Sequence, residues 1–336
     1  MELRLLGKTG LRVSELCLGT MTFGRDAGEE TAFRIMDEFE ASGGNFFDTA
    51  DVYNQGRSEE ILGKWLSNRN REDYIVATKV RFATSDKPNS VGLTRKHIRH
   101  SVEGSLRRLK TDYIDILQVH AWDPITDLSE TLSALQALVD EGKVLHIGAS
   151  NFRAWQLMLA LSISRENGLS EFVSLQPQYS LLCRATEFEL IPLCVHENIA
   201  VLPWSPLKGG VLSGKYTVGG EVPDGTRLRS MVSRGIDVPW KGAEDYYSRV
   251  LKAVHRIAQS KGVTDAQVSL AWLLNRKGVT SPIIGARSVE QVRENIGSVD
   301  VKLTREEMDE LDRASSLYVT YPYDEQAERQ QMSGRV

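Results

Sequence analysis

The sequence predicts one α/β domain in which eight parallel strands alternate with helices and close into a (β/α)8 TIM barrel. An N-terminal β-hairpin and extra C-terminal loops and helices complete the expected fold. Three observations predict it. Eight short apolar, β-branched runs recur along the chain: ELCLGT, NFFDTA, YIVATKV, YIDILQVH, VLHIGASN, FVSLQ, IAVLPW and TSPIIGA. Each is nearly continuous in hydrophobicity, as strands covered on both faces are. Amphipathic stretches of helical period separate them, and consecutive strands stand mostly about 25 to 35 residues apart, the size of one strand–helix unit. The rival, an open doubly wound sheet, calls for GxGxxG between a strand and a helix. Gly209–Gly214 does not supply it.

In chain order, LRLLGKTGLRV places two apolar runs about a Gly-Lys-Thr-Gly turn, a hairpin within about residues 1–14 that is expected to plug one barrel end. Helices are expected over ETAFRIMDEFEASGG, SEEILGKWLSN, TRKHIRHSVEGSLRRLK, LSETLSALQALVDEG, RAWQLMLALSISRENG and EFELIPLCVHENI. Gly43, Gly142 and Gly168 stand where helix C-caps fall. Ser205 to Thr280 is a long stretch with a Gly/Pro-rich loop and two helices, Asp245–Gly262 and Thr264–Arg276; long loops in compact domains usually bind something. The tail, about 317–336, is polar, carries three tyrosines and is expected partly ordered across the barrel mouth. No low-complexity linker divides residues 1–336, so one domain is expected.

Composition narrows the function. With 41% hydrophobic and 26% charged residues the chain has an ordinary globular balance. Its 41 basic against 45 acidic side chains give a formal charge of −4, which offers no positive field for nucleic acid. No run approaches ~18 apolar residues, so no membrane partner is expected. Cys17, Cys183 and Cys194 form neither CxxC nor a disulfide framework, which fits a reducing cytoplasm.

Unusual polar residues gather at the C-terminal ends of the predicted strands, which converge on one mouth in such a barrel. Asp48 ends the second strand with Tyr53 five residues on, Lys79 ends the third and His120 the fourth. A free tyrosine, with a pKa near ~10, is a sluggish acid. An adjacent ammonium lowers its pKa, and a carboxylate holds that ammonium in place. The imidazole then orients a carbonyl oxygen, and a hydride from elsewhere completes a carbonyl reduction. Alone, a lysine at a strand end is usually solvated and a histidine after an apolar run is usually a core group. The four together point to chemistry.

The runs Phe47-Asp48-Thr49-Ala50-Asp51-Val52-Tyr53 and Gly56-Arg57-Ser58-Glu59-Glu60-Ile61-Leu62-Gly63 resemble the signature of the aldo-keto reductases. Ala77-Thr78-Lys79, Ser105 to Asp115 and Gln118-Val119-His120 follow as the next family blocks in order and spacing, and the similarity runs from Leu5 to about Leu317. The resemblance implies an NADPH/NADP+-dependent reductase of small aldehydes or ketones with Asp48, Tyr53, Lys79 and His120 as catalytic tetrad and Tyr53 as general acid. It also implies a cofactor site. Gly19, Thr20 and Met21 follow the first strand. Ser150, Asn151 and Gln176 hold the carboxamide with amide and hydroxyl groups. Ser205, Pro206, Leu207, Gly209 and Lys215 belong to a loop whose backbone N–H groups cover the pyrophosphate. Trp204 stands where many relatives carry tyrosine, and is expected to stack on the nicotinamide and tilt it. Gly285, Arg287, Gln291 and Asn295 match the adenosine-phosphate segment, with Arg287 on the 2′-phosphate.

Substrate walls are expected from Met21, Phe23, Tyr53, His120 and Trp122, with Trp240 or the tail tyrosines, which would favour apolar or aryl carbonyls. His97 and His100 read as a solvated basic face, not a metal site, and no other metal site is expected. The family's relatives include the cytoplasmic β-subunits of potassium channels, so a cofactor-binding redox-sensing module is the alternative. A metal-dependent hydrolase or sugar-phosphate isomerase needs a metal cluster or a catalytic glutamate at the strand ends, and neither is evident.

Overall fold

The computed structural model describes residues 1–333. Strands β1 (Leu3–Leu5) and β2 (Arg12–Ser14) pair antiparallel as the expected hairpin. Eight further strands are all parallel: β3 (Cys17–Gly19), β4 (Phe46–Asp48), β5 (Ile75–Val80), β6 (Ile114–Val119), β7 (Val144–Ser150), β8 (Phe172–Gln176), β9 (Ala200–Val201) and β10 (Ile283–Gly285). They hydrogen-bond in the order β10-β3-β4-β5-β6-β7-β8-β9. The ring closes between β9 and β10, where Val201 bridges Val279 and the Ile283 amide donates to Pro203 O at 2.8 Å. Each strand corresponds to one of the eight apolar runs.

Helices α1 (Glu29–Ala41), α2 (Arg57–Leu66), α3 (Arg95–Leu109), α4 (Leu128–Asp140), α5 (Ala154–Glu166) and α6 (Leu190–His196) follow β3 to β8. The chain leaves α1, α4 and α5 through left-handed Gly43, Gly142 and Gly168, as expected. The long stretch after β9 holds α7 (Arg227–Val232), α8 (Glu244–Lys261) and α9 (Asp265–Leu274), and α10 (Val289–Ile296), α11 (Arg305–Ala314) and α12 (Glu325–Met332) follow β10.

Because successive strand residues face opposite sides, each strand feeds two cores. Phe47, Val76 and Leu117 pack outward against the helices. Their neighbours Phe46, Ala77 and Ile116 join an interior cluster with Leu6 and Val13 of the hairpin region. The hairpin therefore caps the N-terminal end of the barrel. Gly7, at φ +55°, lies so close that an added Cβ would fall 2.8 Å from Val173 O and Asn198 O, which a larger residue could not tolerate. Two residues further along each strand, the same alternation aims Asp48, Lys79 and Gln118 inward, so a polar floor sits on the apolar plug. A third cluster, with Trp240, Tyr247, Trp272 and Leu311, lies beneath the stretch after β9.

The tail docks on the β8–α6 connection. Tyr323 stacks on Phe188 with ring centres 5.3 Å apart and donates to Glu189 Oε1 at 2.6 Å. None of the tail's described residues lines the cavity at the mouth, where the tail was expected, and residues 334–336 lie outside the described residues. His97 also departs from expectation. It is fully buried on α3, and burial lowers its pKa against the opposing backbone of Phe82, whereas His100 is exposed.

Candidate active site

The inward-facing floor places Asp48 at the centre of a network. Its carboxylate accepts from Lys79 Nζ at 2.5 Å, Gln176 Nε2 at 2.8 Å and Gln118 Nε2 at 3.0 Å. The fully buried Lys79 ammonium donates also to Thr49 O at 2.7 Å and to Tyr53 Oη at 3.3 Å. Its three N–H groups thus have three acceptors, as a buried cation needs. Burial works against the lysine's charge, yet Asp48 and Tyr53 together raise its pKa. Since the phenol oxygen accepts from Lys79, its own proton is free to point elsewhere.

Burial is the largest influence on Tyr53 and raises its pKa; Lys79 pulls it down, and Asp48 and Asp51 push it up. The expected net acidification is therefore not met: Lys79 acts in the expected direction but burial outweighs it. The phenol holds its proton until negative charge develops on an oxygen beside it. His120, just past β6, has its ring 5.9 Å from that of Tyr53 at 80°. Burial first, then the charges of Lys79 and Arg81, lower its pKa to about 3, so its imidazole is neutral.

The turn carrying Tyr53 is held from three sides. Asn54, left-handed at φ 50°, donates through Nδ2 to Met21 O and Phe23 O at 3.1 and 2.6 Å. Ser58 Oγ lies 2.7 Å from Thr20 Oγ1 and 3.1 Å from Thr49 Oγ1. Glu59, fully buried on α2, accepts from Thr78 Oγ1 at 2.6 Å and from Arg108 Nε at 2.7 Å, which locks α2, β5 and α3 together.

A cavity of about 470 Å³ opens from Tyr53 and His120 and runs to Arg287 and Asn295. Of the expected cofactor residues, Thr20 alone is absent from its walls; its hydroxyl turns behind to Ser58 and Asp48 O. The amide groups are largely committed. Asn151 Nδ2 donates to His120 O at 3.0 Å and Ser150 Oγ at 2.9 Å, and its Oδ1 accepts from Trp204 Nε1 at 3.0 Å, which fixes the indole over the cavity. Gln176 spends its Nε2 on Asp48 and Gln118, which leaves Oε1 as an acceptor toward the cavity. The expectation for the loop after β9 is corrected in part: the amides of Lys208, Gly209 and Gly210 are donated inside the turn, to Ser205 O, Ser205 Oγ and Leu207 O. The N–H groups of these three are already engaged.

Positive charge comes from side chains instead. Arg227, at the start of α7, and Thr226 line the far end with Arg287, whose Nη1 donates to Gly225 O at 3.4 Å. Burial, then Arg25 and Arg287, press the Arg227 guanidinium below its usual range, with Asp26 the carboxylate that opposes this. Such cationic excess fits an anionic group carrying more than one charge. Sequence reasoning passed over Arg227, because an arginine opening a six-residue helix inside a long irregular stretch carries no periodic signal.

Three expected substrate walls stand elsewhere. Phe23 is 0% exposed and packs in the outer core, and Trp122 packs edge-on against Phe152 and Trp155 at 5.3 and 5.6 Å. Neither lines the cavity, and Trp240 is buried against Tyr216 and Tyr247. Trp204 is an aromatic of the cavity wall, and Phe82, 37% exposed and outside that lining, stands edge-to-face with His120 at 4.7 Å.

A model of the aldo/keto reductase family matches residues 15–316. The chain is similar to the uncharacterized oxidoreductase YrpG of Bacillus subtilis, 41% identical over 316 residues that cover 91% of this chain and 93% of that protein. It is similar to norsolorinic acid reductase stcV of Emericella nidulans, 37% identical over 329 residues, 93% of this chain and 81% of that one. Aryl-alcohol dehydrogenase GME11368 of Pestalotiopsis microspora is 34% identical over 326 residues, 93% and 82% of the two chains.

Proposed function

Because this chain belongs to the aldo/keto reductase family of oxidoreductases, we propose that it reduces aldehydes and ketones with NADPH, using Tyr53 as the general acid. One contact carries this reading: Lys79 Nζ donates to the Tyr53 oxygen at 3.3 Å on the floor of the cavity, with Asp48 behind it. When bound, the reduced nicotinamide supplies the hydride. Gln176 Oε1 and Ser150 Oγ would hold its carboxamide, Trp204, fixed by Asn151, would stack on it, and Arg227, Arg287 and Lys215 would take the phosphates. Neutral His120 donates one N–H to the substrate oxygen and orients it. Tyr53 delivers its proton to that oxygen as it becomes alkoxide-like, and Lys79 stabilises the phenolate left behind. The same groups license the reverse oxidation of an alcohol.

Phe82 and Trp204 favour a flat apolar substituent beside the carbonyl, so aryl aldehydes and ketones are the substrate class, in line with the aryl-alcohol dehydrogenase among the similar proteins. Among the described residues no helix is long and apolar enough to cross a membrane, and the three cysteines are free, which supports placing the enzyme in the cytoplasm.

The test follows NADPH oxidation with a panel of aryl and aliphatic aldehydes in wild type and Tyr53→Phe. Turnover in wild type that falls by about 10²-fold or more in the variant is expected. Equal slow rates in both would sink the acid assignment and favour a cofactor-binding redox sensor.

A further inference from the structure

One buried carboxyl behind the phenol has no task in this chemistry. Asp51 lies two residues before Tyr53 and is 3% exposed. Its amide donates to Lys79 O at 3.3 Å, which ties the turn bearing the phenol to the strand bearing the ammonium. Among the described residues neither carboxyl oxygen meets a hydrogen-bond partner at full geometry. The groups that face it are Glu59 from α2, Arg108 and the Ser101 hydroxyl from α3, and Tyr53 and the Val52 amide from its own turn.

Arg108 is the one cation in that set, and it is committed: its Nε donates to Glu59 Oε2 at 2.7 Å. Glu59 therefore has both the guanidinium and the Thr78 hydroxyl, and Asp51 is the carboxyl left over. A buried carboxylate without a cation or a well-placed donor is strongly disfavoured, and such a group keeps its proton instead. We propose that Asp51 is a positioning residue whose amide ties the Tyr53 turn to β5 and whose carboxyl works as an uncharged acid, keeping a second negative charge away from the phenol. This rests on the reading of Tyr53 as general acid.

A consequence in pH follows. Burial, then the charge of Glu59, push Asp51 up to about 7. Its ionisation raises the pKa of Tyr53 and makes the phenol a poorer acid, so reduction slows as pH rises through about 7. Stability carries the same sign. The folded pKa stands above the unfolded value of ~3.9, so the folded state holds the extra proton from about pH 4 to about 7. The destabilisation due to Asp51 grows across that window and is complete above it.

The experiment compares wild type with Asp51→Asn, whose amide mimics the protonated acid. Both kcat/KM for NADPH-dependent reduction of 4-nitrobenzaldehyde and NADPH affinity are followed from about pH 5.5 to about 9, and Tm is recorded alongside from about pH 4. Wild type should lose about 3- to 10-fold in kcat/KM across the step near pH 7, and the variant should lack that step. Its Tm should exceed wild type at about pH 8, with the gap closing toward about pH 4. A step of the same size and midpoint in the variant, or a wild-type profile flat from about pH 6 to about 8, overturns the proposal. The Tm comparison does not depend on Tyr53, so failure of the general-acid reading, seen as full turnover in Tyr53→Phe, remains distinguishable. Should Asp51→Asn not fold, the infrared carboxyl band of wild type decides. A buried protonated carboxyl titrating near 7 supports the proposal, and its absence at about pH 6 overturns it.

Discussion

Replacing Lys79 by methionine removes the ammonium while keeping nearly the same volume in a packed floor, so it isolates charge from cavity formation. A unit charge 3.3 Å from the phenol oxygen is worth about 5 kcal/mol at an effective dielectric near ~20. With proton transfer about half complete in the transition state, about half of that is expressed, which corresponds to a fall in kcat of about 10²-fold. Stability falls as well. Asp48 is left buried without its cation, though Gln118 and Gln176 still donate to it at 3.0 and 2.8 Å, so the cost sits near the low end of broken buried pairs, about 3 kcal/mol. The double variant Asp48→Asn/Lys79→Met restores a neutral floor and should regain most of the lost Tm without regaining rate. Steady-state kinetics at saturating NADPH, with calorimetric Tm for all three proteins, make the assay. A single variant within about 3-fold of wild-type kcat, or a double variant whose rate recovers with its stability, refutes the electrostatic role of Lys79.

Two further outcomes are expected. Arg227→Ala should weaken NADPH binding by about 10- to 100-fold and leave NADH nearly unchanged, since a charge-assisted contact to phosphate is worth about 1.5–3 kcal/mol; fluorescence titration with both cofactors checks it, and equal losses for both would remove Arg227 from the phosphate site. His120 has a folded pKa of about 3, below its unfolded value of ~6.5, so the unfolded chain binds the extra proton and stability is lost as pH falls through that window. His120→Gln should therefore lose less Tm than wild type between about pH 6.5 and about 4, while a kcat/KM step near pH 7 persists in it; a step that vanishes with the imidazole would contradict a neutral His120.

Strands and helices were readable because burial on both faces leaves continuous apolar runs, and Phe46, Ala77 and Ile116 sit in such runs. The same alternation explains why Asp48, Lys79 and Gln118 stand together two residues on. What the sequence hides is which way a residue turns once the strand has ended. Phe23 and Phe82 both follow strand ends, yet the first closes the outer core and the second flanks His120. Trp122 likewise prefers Phe152 and Trp155. His97 looked solvated among Arg95, Lys96 and Arg99, but its place on α3 turns it inward, since helix neighbours in sequence face different directions. Arg227 and the commitment of Asn151 to Trp204 depend on contacts between distant segments, which no local pattern encodes.

In the working enzyme the Lys79-supported phenol should stand beside the bound nicotinamide. A crystal structure with NADP+ tests it most directly. The carboxamide should lie on Ser150 and Gln176, the ring against Trp204 with its C4 edge toward Tyr53 Oη, and the 2′-phosphate between Arg227 and Arg287. A cofactor lying away from Tyr53, or Lys79 drawn out of contact with the phenol in that complex, would contradict it.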